Sequence, residues 1–276
     1  MKSPASKKFF IFTDTRTGSS CLFNILAKAY FLEFRRDVIL RGIAEPFHPR
    51  VISYFYKKEI YNALYPVEPN FEENPRKWTD EGRLLKEEWP VVNNVFNKSF
   101  EMSHGIKHIW NHLCPEQNYL LLEKALSRGY KIIFLYREGV VKKCLSHTLS
   151  EQSKEWRWHK KKPEFKNINL ERLNRLVERY TKSKEEYEAF LSGHEYYPVS
   201  YEGFLGLDSY RQKIERVFDI LEFCEIKIEN TPISLCKKII GKNRKMTTKE
   251  ILRLIPNLKE VCEFAKNKYN EDIMSS

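Results

Sequence analysis

The sequence predicts an α/β fold in which a central parallel sheet is flanked by helices. Two short apolar runs, residues 8–13 (KFFIFT) and 131–136 (KIIFLY), are typical of strands buried on both faces. Each run is followed by a polar turn and then by apolar residues at helical spacing. Strands that alternate with helices in this way favour parallel pairing, with helices on both faces of the sheet.

Shorter patterns predict the remaining elements. Further strands are expected at residues 38–44, 106–110 and 197–201. Helices are expected where apolar residues recur at helical spacing, namely at residues 21–32, 119–127, 139–153 and 169–191 and in most of the C-terminal part, apart from a basic loop at 241–246. Residues of about 48–100 are aromatic, charged and interrupted by prolines, and we interpret them as a helical insertion. We expect a single domain that spans residues 1–276.

The composition indicates a folded chain of basic character. Hydrophobic residues make up 42% and aromatic residues 14% of the 276 positions, which supplies a sizeable core and excludes global disorder. The formal charge of +11 favours an anionic partner, such as nucleic acid, membrane headgroups or a polyphosphorylated ligand. The net charge alone does not distinguish among these classes of partner.

The cysteines and the N-terminal residues favour the cytoplasm. Six cysteines occur and none forms a C-x-x-C pair, which is typical of reduced, buried thiols rather than of a disulfide framework or a zinc site. The N-terminal lysines are followed by only four apolar residues, too few for a signal peptide. No run approaches the roughly 18 apolar residues that indicate a membrane span. We therefore expect a cytoplasmic protein without a transmembrane segment.

The loop after the first predicted strand has the composition of a phosphate site. It reads TDTRTGSS and contains Arg16 and Gly18 ahead of a predicted helix. Gly18 allows the backbone to fold closely around a ligand, the helix N-terminus offers N–H groups, and Arg16 adds a planar fork suited to phosphate. Three further residues add hydroxyl groups, namely Thr17, Ser19 and Ser20. An ordinary helix N-cap is the alternative interpretation.

A second candidate anion site follows the strand at 131–136. The strand ends at Arg137, and Ser146 lies further along the helix that follows. An arginine fork and a hydroxyl group there can hold a second phosphate. The alternative is a solvated strand end and a serine that bonds its own helix backbone. Because ligands of parallel sheets bind beyond the carboxyl ends of the strands, both loops are expected at the same edge of the sheet.

Together the two loops resemble the donor-binding segments of sulfotransferases. The order of apolar strand, R-[ST]-G-[ST]-[ST] and helix is similar to the 5′-phosphosulfate loop of that family, and IIFLYR…V…S…W is similar to the bacterial carbohydrate sulfotransferases, which include the trehalose and Nod-factor enzymes. The resemblance implies a P-loop-NTPase-like sulfotransferase fold. It also implies 3′-phosphoadenosine 5′-phosphosulfate (PAPS) as co-substrate, with no metal. In this scheme the 5′ side is held by Arg16, Thr17, Gly18, Ser19 and Ser20, and the 3′-phosphate by Arg137 and Ser146.

The resemblance also implies catalytic residues. Residues 42–49 (GIAEPFHP) look like the G-x-x-E-x-F stretch of the carbohydrate group, whose glutamate is the general base. This implies Glu45 as the base, and His48 is the next candidate because an imidazole titrates near neutral pH. Arg16 stands where the cytosolic sulfotransferases have a lysine, which implies that it stabilises the leaving phosphate.

Acceptor-side residues follow from two further matches. Residues 105–110 (GIKHIW) are similar to the G-x-K-x-x-W segment of the carbohydrate group, which implies acceptor-side roles for Lys107 and Trp110. Trp156 falls where that group has a tryptophan. The basic loop at residues 242–245 can reach the 3′-phosphate, as a C-terminal loop does in relatives. We expect a saccharide or other small-molecule acceptor and no nucleic-acid partner; a lipid-linked acceptor would add peripheral contact with a membrane.

Other interpretations of the same residues are a metal site, a kinase and a nucleic-acid-binding protein. His104, His108 and His112 are spaced four apart and would share one face if that segment were a helix, but Gly105 weakens such a helix. A P-loop-like kinase or nucleotide hydrolase is disfavoured because no lysine follows Gly18. A nucleic-acid-binding protein would leave the paired loops unexplained, and a degenerate sulfotransferase fold would bind ligand without turnover.

Overall fold

A computed structural model describes residues 7–34, 45–47, 96–97, 99–101, 103–154, 163–227, 229, 233–242 and 248–275. The strands in these residues are β1 (Lys8–Thr13), β2 (Gly105–Ile109), β3 (Tyr130–Tyr136) and β4 (Tyr196–Ser200). A 3₁₀ turn at Trp110–His112 follows β2. The α-helices are α1 (Ser19–Phe34), α2 (Pro115–Ser127), α3 (Val140–Ser153), α4 (Leu170–Leu191), α5 (Tyr210–Phe223), α6 (Ile233–Lys242), α7 (Lys249–Leu252) and α8 (Leu258–Tyr269).

The four strands form one sheet in the order β2-β1-β3-β4, and every neighbouring pair is parallel. The register pairs Thr13, at the end of β1, with Ile109 of β2 and Leu135 of β3. The carboxyl ends of the strands therefore meet at one edge. This arrangement confirms the predicted α/β class, with a parallel central sheet flanked by helices.

Each face of the sheet has its own hydrophobic core, because side chains alternate along a strand. Phe10 and Phe12 of β1 face a core formed with helices α2, α3, α4, α7 and α8. Phe9 and Ile11 face the opposite core, formed with α1, α5 and α6. All four side chains are at most 1% exposed, which explains why β1 is apolar on both faces.

The chain leaves β1 and β3 towards opposite faces of the sheet. Helix α1, which follows β1, packs in one core, whereas helix α3, which follows β3, packs in the other. A crevice therefore lies beyond the carboxyl ends of these two neighbouring strands. In open α/β sheets such a reversal is the usual position of a ligand site.

Several predicted bounds differ from the observed ones, and two differences have clear physical causes. Helix α2 begins at Pro115, four residues earlier than predicted, because proline suits the first helical position and Gln117 accepts a hydrogen bond from the Cys114 backbone. The strand predicted at 106–110 stops at Ile109, where the 3₁₀ turn begins. Helix α6 continues to Lys242, so the loop predicted at 241–246 was placed at least two residues too early.

Some predictions lie outside the described residues or stay predictions. The strand predicted at 38–44 and almost all of the insertion at 48–100 lie outside. The single domain spanning 1–276 stays a prediction. Among the described residues, no helix combines the length and the apolar character that a bilayer span requires.

Trp110 is a core residue in this fold. Its side chain is 2% exposed. The ring centroids of Phe12, Tyr187 and Phe134 lie 5.4 Å, 5.5 Å and 5.7 Å from that of the indole. The acceptor-side role implied by the resemblance is therefore not supported, because the indole presents almost no surface to a ligand.

We expect Trp110→Ala to lower the free energy of unfolding by about 3–5 kcal/mol, because it leaves a cavity in this core. Urea denaturation at neutral pH measures the change. The matched control is Phe31→Ala on α1, whose side chain is 44% exposed and whose loss should cost no more than about 0.5 kcal/mol. Equal losses for the two variants would contradict the core assignment.

Candidate functional site

The first loop makes a sharp turn between β1 and α1. Arg16 and Gly18 both have left-handed backbones, with φ of 65° and 78°, and the helix begins directly afterwards at Ser19. A Cβ atom added at Gly18 would lie 2.4 Å from Cδ1 of Leu205 and 3.2 Å from Cδ2 of Tyr201. Gly18 is therefore needed both for its backbone conformation and for close packing against the segment that follows β4.

The hydroxyl groups of the first loop divide into inward and outward ones. Thr17 is fully buried and its hydroxyl donates to the backbone carbonyl of Asp14 at 2.9 Å. Thr13 donates to the carbonyl of Leu135 at 2.7 Å, which ties the end of β1 to β3. Ser20 is exposed. The expectation that Thr17 offers its hydroxyl to a cofactor therefore needs correction, because the side chain closes the turn.

Arg137 is held at the end of β3 by three neighbours. Its Nε donates to a carboxylate oxygen of Glu202 at 3.1 Å, and its guanidinium carbon lies 4.3 Å from the centre of the Tyr201 ring. The Tyr180 hydroxyl accepts from the Arg137 backbone N–H at 2.8 Å and donates to its carbonyl at 3.3 Å. The side chain is only 8% exposed. Arg137 is thus a fixed cation rather than a solvated strand end.

The two arginine loops meet in the crevice. Arg16 Nε donates to the Ser146 hydroxyl at 3.1 Å, and Arg137 Nη1 donates to the Arg16 carbonyl at 3.3 Å. Burial, and next the positive charge of Arg137, lower the pKa of Arg16 to about 10, so Arg16 remains charged at neutral pH. The structure therefore brings together Arg16, Arg137 and Ser146, which were predicted to serve one ligand. Two neighbouring cations of this kind attract an anion that bridges them.

A second group of predicted residues lies beside the first loop. The Lys107 ammonium, on β2, donates to the Ser20 hydroxyl at 2.9 Å and forms an ion pair with the Glu45 carboxylate. The Lys107 side chain is 4% exposed and that of Glu45 is 22% exposed. Glu45 is therefore held as a partly accessible carboxylate within reach of the N-terminal turn of α1.

The N-terminal turn of α3 is fixed by two carboxylates from distant parts of the chain. Glu271 accepts from the backbone N–H groups of Val141 and Lys142 at 2.7 Å and 2.8 Å. Glu202 accepts from the backbone N–H of Glu138 at 2.9 Å. Burial raises the pKa of Glu271. Negative charge at a helix N-terminus is stabilising, and it holds the helix that carries Ser146.

The histidine segment does not form the single helical face that a metal site would need. His108 lies on strand β2, whereas His112 belongs to the 3₁₀ turn. His108 Nε2 donates to Oδ1 of Asn118 at 2.7 Å, and burial lowers the His108 pKa to about 4. In the part of the chain that is described, no three His, Cys, Asp or Glu side chains are grouped so that they could hold a metal ion.

Sequence reasoning missed four residues of the site. Tyr201 and Glu202 follow β4 directly, so the rule that points to carboxyl ends of strands would have found them if it had been applied to that strand. Asp14 and Lys143 form a buried ion pair between the first loop and α3. A charged residue next to a fully buried strand end was the only signal for Asp14. His48, Trp156 and residues 243–245 of the basic loop predicted at 242–245 lie outside the described residues.

This arrangement can bind a ligand that carries two anionic groups, with a carboxylate beside one of them. Arginine forks and helix N-terminal N–H groups favour phosphate or sulfate oxygens. Comparison with known proteins adds no assignment: no family model matches the chain and no curated protein matches it.

We expect Gly18→Ala to cost more free energy of unfolding than Gly129→Ala. Both glycines have positive φ, so each alanine costs about 1–2 kcal/mol in backbone strain. A Cβ at Gly129 would have no atom within 4 Å, whereas one at Gly18 would clash with buried Leu205. Urea denaturation of the two variants measures the difference, and equal losses would contradict the close packing of the first loop.

Proposed function

We propose that this chain is a sulfotransferase that moves a sulfuryl group from PAPS to an acceptor hydroxyl. The observation that carries the proposal is the meeting of Arg16, Ser146 and Arg137 in one crevice. PAPS has a phosphosulfate at its 5′ position and a phosphate at its 3′ position, so it matches a site with two neighbouring cations. Each charge-assisted hydrogen bond contributes about 1.5–3 kcal/mol.

The fold and the sequence support the same proposal. A parallel sheet with a crevice at the reversal between β1 and β3 is compatible with the P-loop-NTPase-like sulfotransferase fold that the resemblance implies. In the proposed complex, the first loop holds the 5′ side, and Arg137 with Ser146 holds the 3′-phosphate. The amides at the start of α1 add donors to the 5′ side.

The reaction is an in-line displacement at sulfur. The acceptor oxygen forms a bond to sulfur while the bond from sulfur to the bridging phosphate oxygen breaks, and the bridging oxygen keeps the electron pair. Arg16 stabilises the negative charge that grows on this oxygen, as an oxyanion hole does. Because a sulfuryl group carries less negative charge than a phosphoryl group, its transfer does not require magnesium to reduce repulsion.

Glu45 takes the proton of the acceptor hydroxyl in this scheme. Its carboxylate is held in an ion pair with Lys107, and a carboxylate can accept the proton of a hydroxyl as a general base. Lys107 is joined to Ser20 on α1, so the base is positioned from the same turn that holds the 5′ side of the donor. We propose a saccharide or glycolipid hydroxyl as the acceptor, on the basis of the resemblance to carbohydrate sulfotransferases.

A P-loop-like kinase or nucleotide-binding protein is the alternative. A kinase of that class needs a carboxylate for magnesium beside the phosphates. Asp14, which directly follows β1 at this edge, is instead 1% exposed and is bonded to Lys143 and Asn111. Within the described residues, this carboxylate is therefore a structural group rather than a metal ligand.

The product analogue 3′-phosphoadenosine 5′-phosphate should bind in the presence of a chelator. We expect Arg16→Ala and Arg137→Ala to weaken its binding by about tenfold to a hundredfold each, because each loses one or two charge-assisted hydrogen bonds. Isothermal titration calorimetry measures the dissociation constants. Arg211→Ala on α5, whose side chain is 89% exposed, is the control and should bind normally. Unchanged binding in either site variant, or binding only with magnesium, would argue against the proposal.

Glu45→Gln should keep the affinity for the donor and lose turnover by about 10²–10⁴-fold, because the amide cannot accept the proton. Release of 3′-phosphoadenosine 5′-phosphate from PAPS, measured with a panel of saccharide acceptors, follows turnover. The matched control is Glu195→Gln, which removes a carboxylate paired with Lys131 at 2.8 Å at the opposite edge of the sheet. A fully active Glu45→Gln enzyme would remove Glu45 from the role of base.

A further inference from the structure

A buried ion pair joins the first loop to helix α3. Asp14 directly follows β1 and Lys143 lies on α3, and their side chains are 1% and 5% exposed. The Asp14 carboxylate accepts from Lys143 Nζ, from the Asn111 side chain and, at 2.6 Å, from the Thr15 backbone N–H. Three donors from three different segments therefore converge on one carboxylate.

The same lysine also reaches the second loop, through Tyr180. Lys143 Nζ lies 3.9 Å from the centre of the Tyr180 ring, over its face, which is a favourable position for a cation. The hydroxyl of that tyrosine makes both of its hydrogen bonds with the backbone of Arg137. A continuous series of contacts thus runs from Asp14, two residues before Arg16, to Arg137.

Burying such a pair is costly, and its position suggests why it is present. The free-energy cost of removing two charges from water is offset only by good geometry and further hydrogen bonds. Apolar residues in the same place often stabilise a core equally well. The pair is electrically neutral as a unit, so it adds little attraction for an anion. What it can supply is a fixed distance between the two loops to which it is joined.

We propose that the Asp14–Lys143 pair, with Tyr180, is a specificity-determining brace that fixes the separation of the two arginine loops. The protein would therefore favour a nucleotide with two separated phosphates over one with a single phosphate. The identity of the ligand rests on the proposed function, whereas the bracing of the loops does not. These residues are positioning residues, because they act through Arg16 and Arg137.

The test compares 3′-phosphoadenosine 5′-phosphate with adenosine 5′-monophosphate, which engages one loop only. In Asp14→Asn/Lys143→Met we expect the affinity for the bisphosphate to fall by about tenfold or more, since misplaced groups lose most of their binding advantage. The affinity for the monophosphate should change by less than about twofold, because a single loop has no partner to be aligned with. Simple loss of stability would lower both affinities together. Asparagine keeps an acceptor for Thr15 and Asn111, which favours folding of the variant.

Two further variants keep the test decisive if that protein folds poorly. Lys143→Arg retains the positive charge and the hydrogen-bond donors. Its preference for the bisphosphate should therefore stay close to that of the native protein. Tyr180→Phe keeps the ring but removes the hydroxyl bonded to Arg137, and should reduce the preference. The control is Arg211→Gln/Glu215→Gln, which removes an exposed pair on α5 with an N–O distance of 2.8 Å and should change neither affinity.

A structural measurement separates this inference from the proposed function. Crystal structures of the ligand-free proteins should show the distance from Arg16 Nε to Ser146 Oγ, 3.1 Å in the native chain, lengthened in Asp14→Asn/Lys143→Met and unchanged in the control. If the distance is unchanged in Asp14→Asn/Lys143→Met, the brace is refuted whether or not a nucleotide binds. If the native protein binds no nucleotide but the distance lengthens, the sulfotransferase proposal fails and the brace stands. Equal loss of both affinities would also overturn the specificity role.

Discussion

The parallel pairing of β1 with β3 determines where the two arginine loops of this protein lie. These two strands are far apart in sequence, yet their register brings Thr13 beside Leu135 and a hydrogen bond from Thr13 holds them together. Because both strands run in the same direction, the loops that follow them share one edge. Because the helices after them pack on opposite faces, the chain reverses between these two loops, which is the usual position of a ligand crevice.

The crevice contains an electrostatic conflict that the fold tolerates. Arg16 and Arg137 repel each other, and burial removes the water that would screen them. Glu202, the ring of Tyr201 and the Ser146 hydroxyl compensate in part. Functional sites commonly keep unfavourable local features of this kind. A bound anion would remove the conflict.

The sheet could be predicted from the sequence because the pattern that indicates each strand lies within a few consecutive residues. Residues 8–13 and 131–136 each contain a short apolar run that follows a lysine, and such a run is typical of a strand buried on both faces. The arginines after them could be assigned to the same edge, since that follows from parallel pairing alone. The hydrogen bonds from Arg16 to Ser146 and from Arg137 to the Arg16 carbonyl could not be assigned, because they depend on side-chain directions that no spacing rule gives.

Other features could not be predicted from the sequence, and the physical reasons differ. Trp110 sits one residue past β2, and whether it faces a ligand or the core depends on the 3₁₀ turn that follows. Thr17 reads as a phosphate ligand, but a left-handed Arg16 beside it turns the hydroxyl inward. The pairing of Asp14 with Lys143 spans 129 positions, and no local pattern reports a partner at that distance.

The carboxylate of Glu271 has a consequence for how the protein is made. It bonds the first turn of α3 across 130 positions of the chain, so this turn leaves the ribosome long before its partner exists. Until then water has to bond the backbone N–H groups that donate to Glu271, and the helix bearing Ser146 lacks this anchor. The crevice is therefore among the last parts of the molecule to mature, well after the strands that define it have been synthesised.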